Sequence, residues 1–220
     1  MLKVQGKSKI NNNSKRRIGV YGGAFDPIHN GHLKPINQLH KIHNLDKIHF
    51  IPTCKSNSSK QIIASTTDRI KMLEKSITNP NYIIDNREII RGGTSFMIDT
   101  IKSISEEYPG DNIYLIMGSD TLELFPQWKK YTEILEICNI IVTARISNNH
   151  PGKVEHSLKS FICEYLTIFH STSYGKIYLE ETSLIDISSS EVRKRLIKDQ
   201  DISNDIKPEL AKWLLDNKIY

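Results

Sequence analysis

Two histidines three residues apart, His29 and His32, close the eleven-residue string Gly22-Gly23-Ala24-Phe25-Asp26-Pro27-Ile28-His29-Asn30-Gly31-His32. Glycines after a short apolar run let a backbone come close to a phosphate. Gly31 and His32 then open a stretch with helical spacing. The free N–H groups and dipole of a helix start favour an anion there. Histidines at that spacing can point into one pocket and donate hydrogen bonds to phosphate oxygens. The plainer alternative is a tight turn with two exposed histidines. Gly-Gly alone would not outweigh it, but the whole string does.

Such a string works only if elements on either side hold it. Residues 17–21 read as a short buried strand ending in Gly22-Gly23, and residues 32–43 as a helix with Leu33, Ile36, Leu39 and Ile42 on its inner face. Further strands are expected at 47–51, 82–85, 112–117, 139–143 and 176–179. Helices are expected at 66–77, 94–107, 131–137, 154–168, 189–198 and 208–216, with a polar loop at 53–64. Strands alternating with helices of about a dozen residues give βαβ units and a parallel sheet. Continuous apolar strands suit a sheet covered on both faces. Ligands of such sheets lie at the carboxyl ends of the strands. That rule points to Gly22-Gly23, to Gly118-Ser119-Asp120 and to the loop before Ser188.

Composition narrows the class. The 220 residues are 38% hydrophobic and 25% charged, with 11 Gly and 8 Pro, which excludes collagen, coiled coil and wholesale disorder. No apolar run approaches membrane-spanning length, and the start MLKVQGKSKI lacks the apolar core of a secretory signal. The net charge of +5 is a property of the first 17 residues. These carry Lys3, Lys7, Lys9, Lys15, Arg16 and Arg17 and no acid, leaving 24 basic against 25 acidic residues elsewhere. The pI of 9.0 is therefore no argument for a nucleic-acid face. Residues 1–16 read as a mobile basic tail before a single domain at 17–220. An import presequence is the sharper reading of the tail, set against its shortness and its lack of an amphipathic stripe. Cys54, Cys138 and Cys163 are odd in number and far apart, so neither a disulfide framework nor a zinc site is indicated, and reduced cytoplasmic thiols are expected.

The first string resembles the GGTFDPxHxGH signature of the nicotinate/nicotinamide mononucleotide adenylyltransferase family. Ile187-Ser188-Ser189-Ser190-Glu191-Val192-Arg193 resembles that family's ISSTxxR motif. Three further blocks resemble the bacterial-type nicotinate enzymes. They are Arg91-Gly92-Gly93-Thr94-Ser95-Phe96, then Gly118-Ser119-Asp120 with Phe125-Pro126-Gln127-Trp128, then Lys176-Ile177-Tyr178-Leu179-Glu180-Glu181-Thr182. Order and spacing agree from about residue 17 to 200. H-x-G-H alone is shared with other nucleotidyltransferases, whereas the five blocks together are specific.

The resemblance implies an α/β, Rossmann-like, doubly wound parallel sheet. It also implies transfer of AMP from ATP to nicotinate mononucleotide, releasing pyrophosphate. In-line displacement at phosphorus needs positioning and charge neutralisation rather than a protein nucleophile. The catalytic set is expected to be His29, His32 and Arg193. Ser189 and Ser190 open a helix, so their hydroxyls and N–H groups suit the departing pyrophosphate, and Arg193 one turn on adds a permanent positive charge. The bland counterpart is a capped helix with a solvent-facing Arg193. The resemblance assigns ATP to Gly22, Gly23, Ala24, Phe25, Asp26, Gly118, Asp120, Ile187, Ser189 and Ser190. Asp120 alone would read as a helix cap. Nicotinate mononucleotide falls to Lys55, Ser95, Phe96, Met97 and Trp128, whose flat ring suits stacking although a lone Trp is more often core. Magnesium would come with the triphosphate, with no protein metal site. The partners expected are the two small substrates, without nucleic acid or membrane, and with room for a homo-oligomer.

Some positions depart from the pattern. Ala24 replaces the usual Thr, Phe96-Met97 stand where Tyr-Thr is usual, and Pro52-Thr53-Cys54-Lys55-Ser56-Asn57-Ser58-Ser59-Lys60 replaces a PPHK-like string. Lys55 or Lys60 is the candidate substitute for the missing basic contact. Competing readings are an adenylyltransferase for nicotinamide mononucleotide or phosphopantetheine, a non-catalytic nucleotide-binding module, and a nucleic-acid binder. The Trp128 and 176–182 blocks argue for a pyridine nucleotide, the intact His29, His32 and Arg193 against lost chemistry, and the near-neutral body against nucleic acid.

Overall fold

Continuous apolar runs become strands because helices shield them on both faces. The computed structural model describes residues 15–56, 61–145, 154–182 and 187–220, the side chains of 144 and 145 aside. Residues 1–14, which hold most of the expected tail, lie outside that set, as does Lys60. Six strands, β1 (Arg17–Gly23), β2 (Lys47–Pro52), β3 (Tyr82–Ile84), β4 (Asn112–Gly118), β5 (Asn139–Arg145) and β6 (Ile177–Thr182), form one sheet in the order β3-β2-β1-β4-β5-β6. Every neighbouring pair is parallel. This is the doubly wound α/β sheet expected. Its order reverses between β1 and β4, so the crevice beyond Gly23 and Gly118 is where a ligand fits.

The helices are α1 (Asn30–Ile42), α2 (Thr66–Ser76), α3 (Arg87–Arg91), α4 (Met97–Glu107), α5 (Ser119–Leu124), α6 (Tyr131–Leu135), α7 (Leu166–Ser171), α8 (Ser189–Ile197) and α9 (Pro208–Asp216). Side chains alternate across the sheet, giving two cores. Ile36 and Leu39 of α1 and Leu210 and Leu214 of α9 join Ile48, Phe50 and Tyr114 on one face. Ile98, Ile101 and Ile104 of α4 join Ile18, Val20, Leu115 and Val142 on the other. Among the described residues no helix is long and apolar enough to cross a membrane.

Four elements differ from the sequence expectation. The helix expected at 154–168 is a 3-10 turn at His156–Phe161 followed by α7. Between them Ile162 pairs with Ile177 and the Cys163 N–H donates to the Ile177 carbonyl at 2.8 Å. Pairing with the sheet edge outcompetes continued helix there. The helix expected from residue 94 starts at Met97 instead. Thr94 bridges to Lys55, and the Ser95 N–H donates to the Lys55 carbonyl at 3.0 Å. The third and fourth are short helices, α3 and α5, that fill stretches read as connections.

Candidate active site

The loop leaving β1 is held by buried polar groups. Asp26 is 2% exposed. Its carboxylate accepts the N–H groups of Ile63 at 2.7 Å and Ala64 at 3.1 Å, and the Tyr220 hydroxyl at 2.7 Å. Arg69, 1% exposed, donates to the Ala24 carbonyl at 2.8 Å and the Thr53 carbonyl at 2.7 Å. It thereby ties the end of β1 to the end of β2. Phe25 is fully packed in the core with φ 50, a left-handed conformation costly for a residue with a Cβ. Of the residues expected around ATP, Phe25 and Asp26 thus use their side chains to build the loop.

His29 and His32 meet at the start of α1. Their ring centroids are 3.8 Å apart with planes 32° apart. The His29 N–H donates to His32 Nδ1 at 3.3 Å. That acceptor role leaves Nδ1 bare, so the neutral His32 carries its proton on Nε2. Nδ1 of His29 is buried without a partner among the described residues, and His29 is 5% exposed. Neither histidine is the exposed turn residue of the plainer reading. Burial lowers the His29 pKa from 6.5 to about 4. Burial, then the neighbouring His29, holds His32 well below its ordinary value. The rings of Phe25 and Tyr21 stand edge-on to His32 at 5.5 and 6.3 Å. Both imidazoles are therefore neutral donors at pH 7.

The second motif folds back onto the first. Ser188 caps α8 by accepting the Glu191 N–H at 3.2 Å, which leaves Ser189 and Ser190 in the first turn. Ser189 donates its hydroxyl to the Pro27 carbonyl at 3.0 Å. Arg193 donates to the Asp26 carbonyl at 2.5 Å and to Ser190 Oγ at 3.3 Å. Its side chain is 16% exposed and does not face open solvent. At Gly31 any Cβ would fall 2.8 Å from Ile187 Cγ2 and 2.9 Å from His29 Nδ1, so this contact between motifs requires glycine. Gly31, His29, His32, Ile187, Ser189, Ser190 and Arg193 form one group.

A second group stands beside it. A Cβ at Gly22 would lie 2.7 Å from Cε of Met97, so Met97 packs directly over β1. The Cys54 N–H donates to the Ser95 hydroxyl at 3.0 Å. With the Ser95 N–H bonded to Lys55, Ser95 serves the 54–55 loop, and α4 opens on Phe96 and Met97. Lys55 also lines a cavity of about 320 Å³ with Cys54, Ala64, Thr66 and Arg69. Trp128 is half-buried, edge-on to Phe125 at 5.5 Å. Its neighbour Lys129 places its ammonium over the Phe96 ring at 4.2 Å, which draws the Trp128 segment to the start of α4. Gly118 caps α5 at the end of β4, and Asp120 stands exposed in that helix's first turn.

Sequence reasoning missed Arg69, Lys129 and Tyr220. Arg69 had one local signal, a basic residue on the inner side of an amphipathic helix. Tyr220 had none, since its partner lies 194 residues away.

Comparison with known proteins bears on family and fold. A family model described as cytidylyltransferase-like matches residues 20–195. A protein of Borrelia garinii subsp. bavariensis, named a probable nicotinate-nucleotide adenylyltransferase, is 32% identical over 208 residues, covering 93% of this chain and 94% of its own. A protein of the same name from Psychromonas ingrahamii is 35% identical over 199 residues, covering 87% and 90%. The Plasmodium falciparum nicotinic acid mononucleotide adenylyltransferase, solved in complex with NaAD, shares the fold. Its TM-score is 0.66 at 24% identity, over 93% of this chain and 97% of that one.

Proposed function

Because the chain belongs to the cytidylyltransferase-like family, and within it to the nicotinate-nucleotide adenylyltransferases, we propose that AMP passes from ATP to nicotinate mononucleotide in the crevice above β1 and β4. The reaction forms nicotinate adenine dinucleotide and pyrophosphate. An oxygen of the mononucleotide phosphate attacks the α-phosphorus of ATP. The bond from that phosphorus to the α,β-bridging oxygen breaks, and its electrons leave with pyrophosphate.

His29 and His32 bind the triphosphate as neutral donors, His32 through Nε2. Ser189 and Ser190 offer first-turn N–H groups to the departing pyrophosphate. Arg193 supplies the permanent charge that neutralises what builds up on it. Asp26 acts as the anchor of the loop, since its carboxylate is already engaged. One observation carries this reading: the bond from Arg193 to the Asp26 carbonyl, which brings the cation of one motif onto the histidine loop of the other.

Magnesium enters as part of MgATP, held by phosphate oxygens and water. The acceptor lies on the side of Lys55, Met97 and Trp128, where the first-turn N–H groups of α4 face the ring carboxylate. The reaction is placed in the cytoplasm, in keeping with three free thiols. The deciding experiment is pyrophosphate release from ATP with a panel of acceptors. Nicotinate mononucleotide is expected to lead, and release only with another acceptor overturns the assignment.

A further inference from the structure

We propose that Tyr220 is a positioning residue for the phosphate end of the site, keeping Arg193 bonded to the Asp26 carbonyl and out of a closed two-point pair with the Asp26 carboxylate. The inference rests on the reading of Arg193 as the phosphate-binding cation.

Tyr220 follows α9 and touches both ends of the contact that joins the two motifs. Its hydroxyl donates to Asp26 Oδ1 at 2.7 Å, and its ring lies 6.0 Å from the Arg193 guanidinium carbon. Ile219 and the Tyr220 ring pack against the core, so the phenol is fixed from behind. Burial, then the Asp26 carboxylate beside it, raises the phenol pKa and keeps it a donor.

Arg193 has two acceptors within reach on the same residue. Its Nη1 bonds the Asp26 carbonyl and lies 3.7 Å from Asp26 Oδ2. A guanidinium and a carboxylate left to themselves close into a two-point pair. Such a pair would turn the guanidinium toward Asp26 and spend its charge there. The Tyr220 hydroxyl, with the Ile63 and Ala64 N–H groups, fills the carboxylate with donors. Arg193 is thereby bonded to the neutral carbonyl and kept at 3.7 Å from Oδ2, short of a closed two-point pair, which leaves the rest of its guanidinium for a phosphate.

The test is Tyr220→Phe, which deletes one oxygen and leaves Asp26 two main-chain donors, so the fold is kept. Turnover with ATP and nicotinate mononucleotide is expected to fall roughly tenfold, the scale of one hydrogen bond to a charged group, while KM for the mononucleotide stays within about twofold. The decisive measurement is the same change made in Arg193→Lys. If Tyr220 acts through Arg193, its penalty there shrinks to about twofold or less. An equal penalty in both backgrounds, or full turnover in Tyr220→Phe, overturns the proposal. Calorimetric binding of inorganic pyrophosphate separates this inference from the choice of acceptor. Weaker binding in Tyr220→Phe than in the parent supports it even if nicotinate mononucleotide is not the substrate, and equal binding counts against it.

Discussion

The main-chain N–H of His29 points at Nδ1 of His32, 3.3 Å away. Each histidine therefore helps to set the other: one supplies the donor, the other the tautomer that presents Nε2–H to a ligand. Replacing His32 by Ala removes that ligand donor and leaves the His29 N–H to water. Turnover is expected to fall by at least about 100-fold, the scale for one preorganised donor aimed at developing charge. The melting temperature, expected to move little, checks the fold. Near-normal turnover in a folded His32→Ala protein ends the catalytic assignment.

Asp26→Ala takes the acceptor from the buried N–H of Ala64 and from the part-buried Ile63 N–H and Tyr220 hydroxyl. Unsatisfied buried donors cost about 1 to 3 kcal/mol each, so a loss of roughly 3 kcal/mol is expected from urea unfolding. Asp26→Asn, which retains one acceptor oxygen, should lose less. Equal stability of Asp26→Ala and the parent would falsify the anchor role.

Acid should weaken the fold through the buried imidazoles. His29 titrates at about 4 in the folded chain against an ordinary 6.5, so between those values the unfolded chain binds more protons. The contribution is complete above about pH 6.5 and is lost as the pH falls toward 4. For His29 alone it shrinks by about 2 kcal/mol on reaching pH 5. His170, also lowered to about 4 by burial, then Arg17 and His43, acts in the same direction. Urea midpoints of the parent and of His29→Asn, which keeps a good helix cap, should show a shallower pH slope in the variant. Identical slopes would remove His29 from the explanation.

Acceptor choice turns on one group, a ring carboxylate or an amide. Ser95 gives its N–H to the Lys55 carbonyl and accepts the Cys54 N–H on its hydroxyl oxygen, so the donors at the start of α4 are main-chain N–H groups together with the Ser95 O–H. Main-chain N–H groups prefer the carboxylate and do not register Met97 in place of a hydroxyl residue. A preference of roughly 10- to 100-fold in kcat/KM for nicotinate over nicotinamide mononucleotide is expected, from charge-assisted bonds of about 1.5 to 3 kcal/mol. Equal values would mean that Phe96 and Met97 have remodelled the pocket.

What could be read from the residues was whatever has a local cause. Ile18 and Val20, or Leu115 and Met117, are apolar because their strands are buried on both faces. Gly31-His32 and Ser188-Ser189 mark helix starts because free N–H groups need particular neighbours. What could not be read has a distant cause. The break at Ile162 depends on the β6 edge, and the late start of α4 depends on Lys55. The Cys54 N–H that the Ser95 hydroxyl accepts comes from a loop 41 residues away. Tyr220 looks like any aromatic residue after a helix until the fold brings Asp26 to it.

The bond from Arg193 to Asp26 spans 167 residues. A ribosome adding roughly 5 to 20 residues each second makes the loop after β1 wait about ten to thirty seconds for α8 to emerge. Through that interval the nascent chain carries the 22–32 segment without Arg193 against it. No translation intermediate can therefore join the two motifs before α8 is made, so the contact between them is confined to the last steps of the protein's birth.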